Sequence, residues 1–132
     1  MKKTILVFLI ILYVSCSIDD PDYRYKLLPI QESETPQSFK FGEVDTIKVK
    51  YTLPNTCFSF HSLYYEYRDT TRIVAIRTLE KLEETCQEIS VERELKFPVK
   101  VSQKEDYIFK FWKGKDSDGK DIFEEKIVLV EE

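Results

Sequence analysis

The 132-residue sequence is poor in the residues that most often carry chemistry or break a chain. It has one histidine, one tryptophan, one methionine, three cysteines, three glycines and five prolines. So little glycine and proline excludes a fibrous or low-complexity chain. Charge of neither sign dominates: 20 Lys and Arg against 24 Asp and Glu leave a net charge of −4. A mildly acidic chain lacks the basic face that nucleic-acid binding needs, so that partner class is disfavoured. Ser-x-Gly elbows, glycine-rich phosphate loops and CxxC pairs are all missing. His61, the lone histidine, stands four residues after Cys57, and a triad or zinc site would require more soft ligands or a nucleophile beside it. A half-buried strand histidine next to Tyr65 is the simpler reading, and no catalytic residue and no cofactor are expected.

Long apolar runs are also missing. Residues 4–14 (TILVFLIILYV) form one of eleven residues, well short of the roughly 20 that a membrane-crossing helix requires. Its setting is informative. Met1-Lys2-Lys3 is a basic start, Ser15-Cys16-Ser17 ends the run, and Ile18-Asp19-Asp20-Pro21 turns the chain polar. A basic start, a short apolar stretch and a small residue at a break describe a secretory signal. Leu12-Tyr13-Val14-Ser15-Cys16 further resembles the lipobox of bacterial lipoproteins, in which the cysteine becomes a lipidated N-terminus; Tyr13 stands where leucine is usual. Ser17 followed by Asp19 and Asp20 partly resembles the export signal of Bacteroidota surface lipoproteins. The competing readings are a retained anchor, for which the run is short, and cleavage to a soluble secreted protein. The lipoprotein reading divides the chain into a signal peptide at 1–15, a lipidated N-terminus with a flexible tether at 16–38, and one domain at 39–132. The tether follows from its polar composition and prolines at 21, 29 and 36, although Leu27, Leu28 and Ile30 could add a short edge segment.

Lipid on Cys16 would also resolve the odd cysteine count. Cys57 and Cys86 then remain, and an even pair in an exported chain suggests a disulfide. Two buried free thiols are the other reading.

Beyond residue 39 the pattern has the two-residue period of β-strands. Ile47, Val49, Tyr51 and Leu53 alternate with Lys48, Lys50 and Thr52. Residues 57–68 (CFSFHSLYYEYR) are aromatic-rich and nearly equally apolar on both faces, as in a central or twisted strand. Residues 72–79 (RIVAIRTL) put Ile73 and Ala75 on one face and Val74 and Ile76 on the other. Residues 80–88 read as a loop or single helical turn carrying Cys86. Ile89, Val91 and Leu95 then mark another strand, and Pro98 consigns Phe97, Val99 and Val101 to an edge or bend. Residues 106–113 (DYIFKFWK) and 122–130 (IFEEKIVLV) flank the short turn 114–120 and should form an antiparallel hairpin. Six to seven strands without a convincing helix predict a single all-β domain, an antiparallel β-sandwich of immunoglobulin-like type.

Three runs, Tyr51-Thr52-Leu53-Pro54-Asn55-Thr56-Cys57, Arg72-Ile73-Val74-Ala75-Ile76 and Tyr107-Ile108-Phe109-Lys110-Phe111-Trp112-Lys113-Gly114-Lys115-Asp116, resemble those of small uncharacterised lipoproteins of the Bacteroidota, flavobacterial ones especially. The resemblance covers about the last ninety residues. It implies a lipoprotein with one domain and a Cys57–Cys86 bridge, and it implies no activity.

Two groups of side chains are candidate sites. Asp116, Asp118 and Asp121 share one turn and form a weak calcium candidate, though the spacing fails the EF-hand pattern and an Asp-Gly hairpin tip needs no metal. Tyr64, Tyr65, Tyr67 and Trp112, with Tyr107, form a possible binding face for a sugar or peptide, against the plainer reading of an ordinary core with tyrosine rims. The functional expectation is an outer-membrane-anchored lipoprotein, on the periplasmic face or the cell surface. It would serve as a non-catalytic binding or assembly module of the cell envelope, touching the membrane through its lipid and another envelope protein or glycan through the domain. The alternative is a small envelope inhibitor or immunity-type lipoprotein that presents the acidic loop 80–88 to a basic target.

Overall fold

The computed structural model describes residues 22–82 and 85–132. Nine strands and no helix make up this part of the chain: β1 (Tyr23–Leu28), β2 (Glu32–Glu34), β3 (Ser38–Lys40), β4 (Val44–Leu53), β5 (Phe58–Arg68), β6 (Thr71–Lys81), β7 (Val91–Lys100), β8 (Tyr107–Lys115) and β9 (Asp121–Glu131). They form two facing sheets, one of six strands and one of three in the order β2-β4-β7. The fold is therefore an all-β sandwich, with the six longer strands where the period-two pattern predicts them.

In the large sheet β6 is the hub. Its Ile73, Val74, Ala75 and Ile76 are all buried, which is why both faces of this strand are apolar. β5 pairs antiparallel along one of its edges. The opposite edge is shared: β8 runs parallel along residues 71–74, and β1 runs antiparallel along residues 76–81. β9 and then β3 complete the sheet beyond β8. The pairing is not wholly antiparallel as expected, because β6 with β8 and β3 with β9 are parallel. The immunoglobulin likeness thus extends to the layered architecture and not to the pairing pattern strand for strand.

The tether boundary also moves. Residues 23–34, expected to be a flexible tether, supply β1 and β2, each hydrogen-bonded into a different sheet. Leu28 and Ile30 are buried in the core, and the Ile30 amide donates to the Trp112 carbonyl at 2.9 Å. Pro29 and Pro36 sit at the joints between short strands, where a missing N–H costs no ladder bond; Pro21 lies outside the described residues. The signal peptide and Cys16 lie outside the described residues.

The core between the sheets is aromatic. Tyr107, Phe109 and Phe111 project from one face of β8 and stack at 5.8 and 5.9 Å, with Phe39 edge-on at 5.2 Å from Tyr107. Ile47, Val49, Tyr51 and Leu53 of β4 close against them, together with Phe97, Val99 and Val101. Pro98 does fall on an edge strand, β7. The β8–β9 hairpin is antiparallel, and Gly119 takes the positive φ of 76° that its tip requires.

Cys57 and Cys86 are disulfide-bonded, with Cα atoms 5.4 Å apart. The bond ties the start of β5 to the connection before β7. Two hydrogen bonds brace it, from the Thr56 amide to the Gln87 carbonyl at 3.1 Å and from the Gln87 amide to Thr56 Oγ1 at 2.9 Å.

Two outcomes are expected. Replacing both cysteines by serine opens a loop of 29 residues and should lower stability by about 3–4 kcal/mol in denaturant melts; an unchanged midpoint would count against a structural role. A chain begun at residue 39 loses Leu28 and Ile30, each worth roughly 1.5–3 kcal/mol of burial, and leaves half an edge of β6 unpaired. It should lose the sharp near-UV dichroism of the packed aromatics, whereas a true tether could be removed without effect.

Candidate functional site

The two outer faces of the sandwich are opposites. On the small sheet, the alternation of β4 turns Lys48 and Lys50 outward between acidic neighbours. Lys48 Nζ lies 2.9 Å from Glu34 and 3.9 Å from Glu94, and Lys50 Nζ lies 3.5 Å from Glu32 and 3.9 Å from Glu92. The hydrogen bond from Lys48 holds the Glu34 carboxyl below the usual carboxylate range, and the same bond raises Lys48. Such exposed pairs add little stability, but they keep this face wet.

The outer face of the large sheet is apolar. The registers align Tyr25 and Leu27 of β1 with Leu79 and Arg77 of β6, Tyr64 of β5 with Ala75, Trp112 of β8 with Phe123 of β9, and Ile108 with Ile127. Several of these side chains stand in solvent: Tyr25 is 64% exposed, Ile127 56% and Leu129 54%. Exposed apolar neighbours that form a continuous patch mark interaction surfaces. A hollow of about 280 Å³ indents the patch, with Leu27, Ile73 and Ala75 in its lining, Tyr64, Trp112 and Phe123 as its aromatic members, and Glu66, Arg68 and Asp121 completing it.

The polar groups around this hollow are tied to one another. Tyr64 Oη donates to Glu66 Oε2 at 2.7 Å, and Arg68 Nε donates to Glu66 Oε1 at 3.0 Å. These bonds hold the Glu66 carboxyl below the usual range, the Tyr64 bond most strongly, and the same bond raises the Tyr64 phenol. The Trp112 indole N–H donates to Asp121 Oδ1 at 3.0 Å. The aromatic walls are thereby held in fixed orientations before any ligand arrives, and fixed aromatics lose little entropy on binding.

The expected single aromatic face is in fact two. Tyr64 and Trp112 belong to the outer face, whereas Tyr65 and Tyr67 point to the other side of β5. There, with Leu63, Phe97, Pro98 and Tyr107, they line a second hollow of about 290 Å³ at the mouth between the sheets. Burial pushes the Tyr65 phenol well above the ordinary tyrosine range, the charge of Arg72 offsetting part of the rise. Arg72 is itself buried, its guanidinium 4.3 Å from the Tyr67 ring centre and 5.0 Å from that of Tyr107. It donates to the Asp69 and Thr71 carbonyls and to Gln103 Oε1, so it serves as an internal clamp on the turn between β5 and β6.

His61 occupies a bulge. Phe60 pairs with Thr78 and Ser62 with Arg77, which leaves His61 without a partner in the ladder. The ring is exposed, bonded to Ser62 Oγ at 2.9 Å and edge-on to Tyr25 at 5.0 Å. Cys57 is committed to its disulfide with Cys86, so it is neither a nucleophile nor a metal ligand for His61. The calcium candidate is not assembled either. Asp116 Oδ1 accepts from the Asp118 and Lys120 amides at 2.8 and 2.9 Å, which shapes the hairpin tip, and Asp121 holds Trp112. Among the described residues no three His, Cys, Asp or Glu side chains gather as metal ligands.

Sequence reasoning missed Leu27, Phe123 and Ile127. A signal was present in β6: Ile73 and Ala75 oppose Val74 and Ile76, yet only one face of a sandwich strand needs to meet the core.

The sign of the Glu66 shift is testable. A depressed carboxyl stabilises the fold above the ordinary carboxylate range, and the contribution is lost as pH falls through the lowered value. NMR titration should find the Glu66 midpoint below that of a free glutamate, and Tyr64→Phe should move it up. An unmoved midpoint would show that Tyr64 does not hold it.

No curated protein and no solved structure matches this chain. The model of the ORF11 beta-sandwich domain matches residues 47–121, from the middle of β4 to the first residue of β9. That span exceeds half of the chain and takes in Tyr64, Trp112 and both bridged cysteines, so the chain belongs to the ORF11 beta-sandwich domain family.

Proposed function

We propose that this protein is an outer-membrane-anchored lipoprotein, lipidated on Cys16, that acts as a non-catalytic binding or assembly module of the cell envelope. The docking surface is the outer face of the large sheet around Tyr64, Trp112 and Phe123. The observation that carries the reading is the contrast between the two outer faces: one is a ladder of Lys–Glu pairs, and the other exposes rows of apolar side chains, broken at Arg77, Lys81, Lys110 and Glu125, around a pre-set aromatic hollow. A domain that needed only solubility would not expose Tyr25, Ile127 and Leu129 on one face. The disulfide supports export to an oxidising compartment, and the 1–17 sequence supplies the signal and the lipid-accepting cysteine.

The inhibitor reading has one observation of its own, the disulfide and the paired Thr56–Gln87 bonds that stiffen the connection before β7. A rigid loop suits insertion into an enzyme. The apolar face gives that reading no role, so the docking module is preferred.

Labelled palmitate added to cells tests the anchor. The wild-type chain should incorporate it and fractionate with the outer membrane, while Cys16→Ala should do neither. Equal labelling of the two would overturn lipidation at Cys16.

A further inference from the structure

We infer that the occupant of the outer face is the membrane surface itself: the large sheet lies against the lipid headgroups, with Tyr23, Tyr25, Leu27 and Ile127 at the interface. The inference rests on the proposed anchor at Cys16. Its starting point is the length of chain between that anchor and the fold. Because β1 begins at Tyr23, seven Cα steps separate it from Cys16, a maximum reach of about 25 Å. A tether running to residue 38 would have let the domain stand about three times farther off. So short a leash keeps the domain at a high effective concentration beside the bilayer, and a weak lipid-binding face then suffices.

The place where the leash enters matters as much as its length. Tyr23 pairs with Lys81, and the Leu82 amide donates to the Asp22 carbonyl at 3.0 Å. The chain therefore arrives at one end of β6, directly beside Tyr23 and Tyr25, which are 47% and 64% exposed, and Leu82, which is 48% exposed. Tyrosine and tryptophan favour the headgroup region because their rings are apolar and their tips polar. Across the sheet the aliphatic side chains continue through Ile127 and Leu129. Basic residues interrupt the apolar rows at Arg77, Lys81 and Lys110, which the registers place on the same face as Leu27, Tyr23 and Ile73, while the carboxylates of this face lie away from the entry end, Glu125 opposite Lys110 and Glu66 and Asp121 at the hollow. In a chain of net charge −4, the entry end of this face has the composition of an interfacial surface: apolar area, aromatic tips, and the Arg77 cation beside Leu27 to reach phosphate. The opposite face, with its glutamates against Lys48 and Lys50, would point away from the membrane.

Trp112 is the sole tryptophan and lies in the hollow of this face, so its fluorescence reports contact without labelling. The test uses the full chain, purified from membranes and reconstituted in phosphatidylethanolamine–phosphatidylglycerol vesicles with or without brominated acyl chains. Brominated lipid should quench Trp112, and acrylamide in the water should quench it less than it does in detergent. The pair Tyr25→Asp and Ile127→Asp should abolish the lipid quenching while palmitate labelling persists, and Lys50→Ala on the far face should leave it intact. Near-UV dichroism confirms that each variant is folded.

Palmitate incorporation without any lipid quenching would overturn this inference and leave the anchor standing. If palmitate is not incorporated, the anchor fails, and the same vesicles added to the chain still decide the matter. Quenching that the Tyr25→Asp and Ile127→Asp pair removes would support a lipid-binding face; no quenching would refute it. Shielding from acrylamide without lipid quenching would mean that a protein surface or a second copy covers the face, which also overturns a lipid occupant.

Discussion

Everything in this sandwich depends on β6 having its hydrogen bonds satisfied along both edges while both of its faces are covered. A strand with Ile73, Val74, Ala75 and Ile76 all buried cannot lie at an edge or leave its backbone groups open, since unpaired buried amides and carbonyls are costly. β5 meets one edge in full. No single strand covers the other, so β8 takes residues 71–74 and β1 takes residues 76–81. The opposite senses of these two partners reflect where the chain must come from, and they produce the mixture of parallel and antiparallel pairing. Thr78 fits the same logic: it is fully buried, and its hydroxyl donates to the Lys26 carbonyl at 2.7 Å, a satisfied polar group at the junction with β1.

From that constraint comes the division into core and apolar outer face. One side of β6, with Val74 and Ile76, meets the aromatic stack of β8 and the inward row of β4. The other side, with Ile73 and Ala75, faces away from the small sheet and becomes the floor of the outer hollow. A sheet whose hub strand is apolar on both sides will have an apolar outer face unless its neighbours are strongly polar, and here Leu27, Tyr64, Trp112 and Phe123 are not. On the small sheet the hub is β4, whose alternation is strict, and the outer face is accordingly charged. The difference between the two faces reduces to the difference between two strand patterns.

The same two patterns decide how much of the fold was legible in the sequence. The β4 alternation, the β8–β9 hairpin, the edge position of Pro98 and the Cys57–Cys86 pairing could all be read, because each depends on local period, local turn chemistry or cysteine arithmetic. The role of residues 23–34 could not. YRYKLL has no clean period, ESE is three residues long, and their partners lie some fifty residues away in β6 and fourteen to eighteen away in β4. The bulge at His61 was equally invisible, and it had a specific cost. One extra residue reverses the phase of the strand, so that Phe58 and Phe60 lie on the same side as Leu63, Tyr65 and Tyr67. Counting by twos from Cys57 therefore groups the wrong residues. The division of the tyrosines needs no bulge: Tyr64 and Tyr65 are consecutive, so alternation alone sends Tyr64 to the outer hollow and Tyr65 with Tyr67 to the other.

The disulfide gains a meaning from this geometry beyond closing a loop. The Cys57 carbonyl accepts from the Lys81 amide at 3.0 Å, and Lys81 pairs with Tyr23, where the described chain enters the fold. The covalent bridge thus sits at the end of the sheet from which residues 1–21 depart. An anchor pulls on a domain at the point of entry, and a strand of six residues such as β1 would be the first to peel from β6 under that load. Holding the neighbouring end of β5 to the β7 connection by a covalent bond limits how far fraying can spread from there. Were the chain anchored at Cys16 as proposed, the bridge would lie at the end of the sheet where the load falls, the same end at which the exposed Tyr23 and Tyr25 begin the outer face.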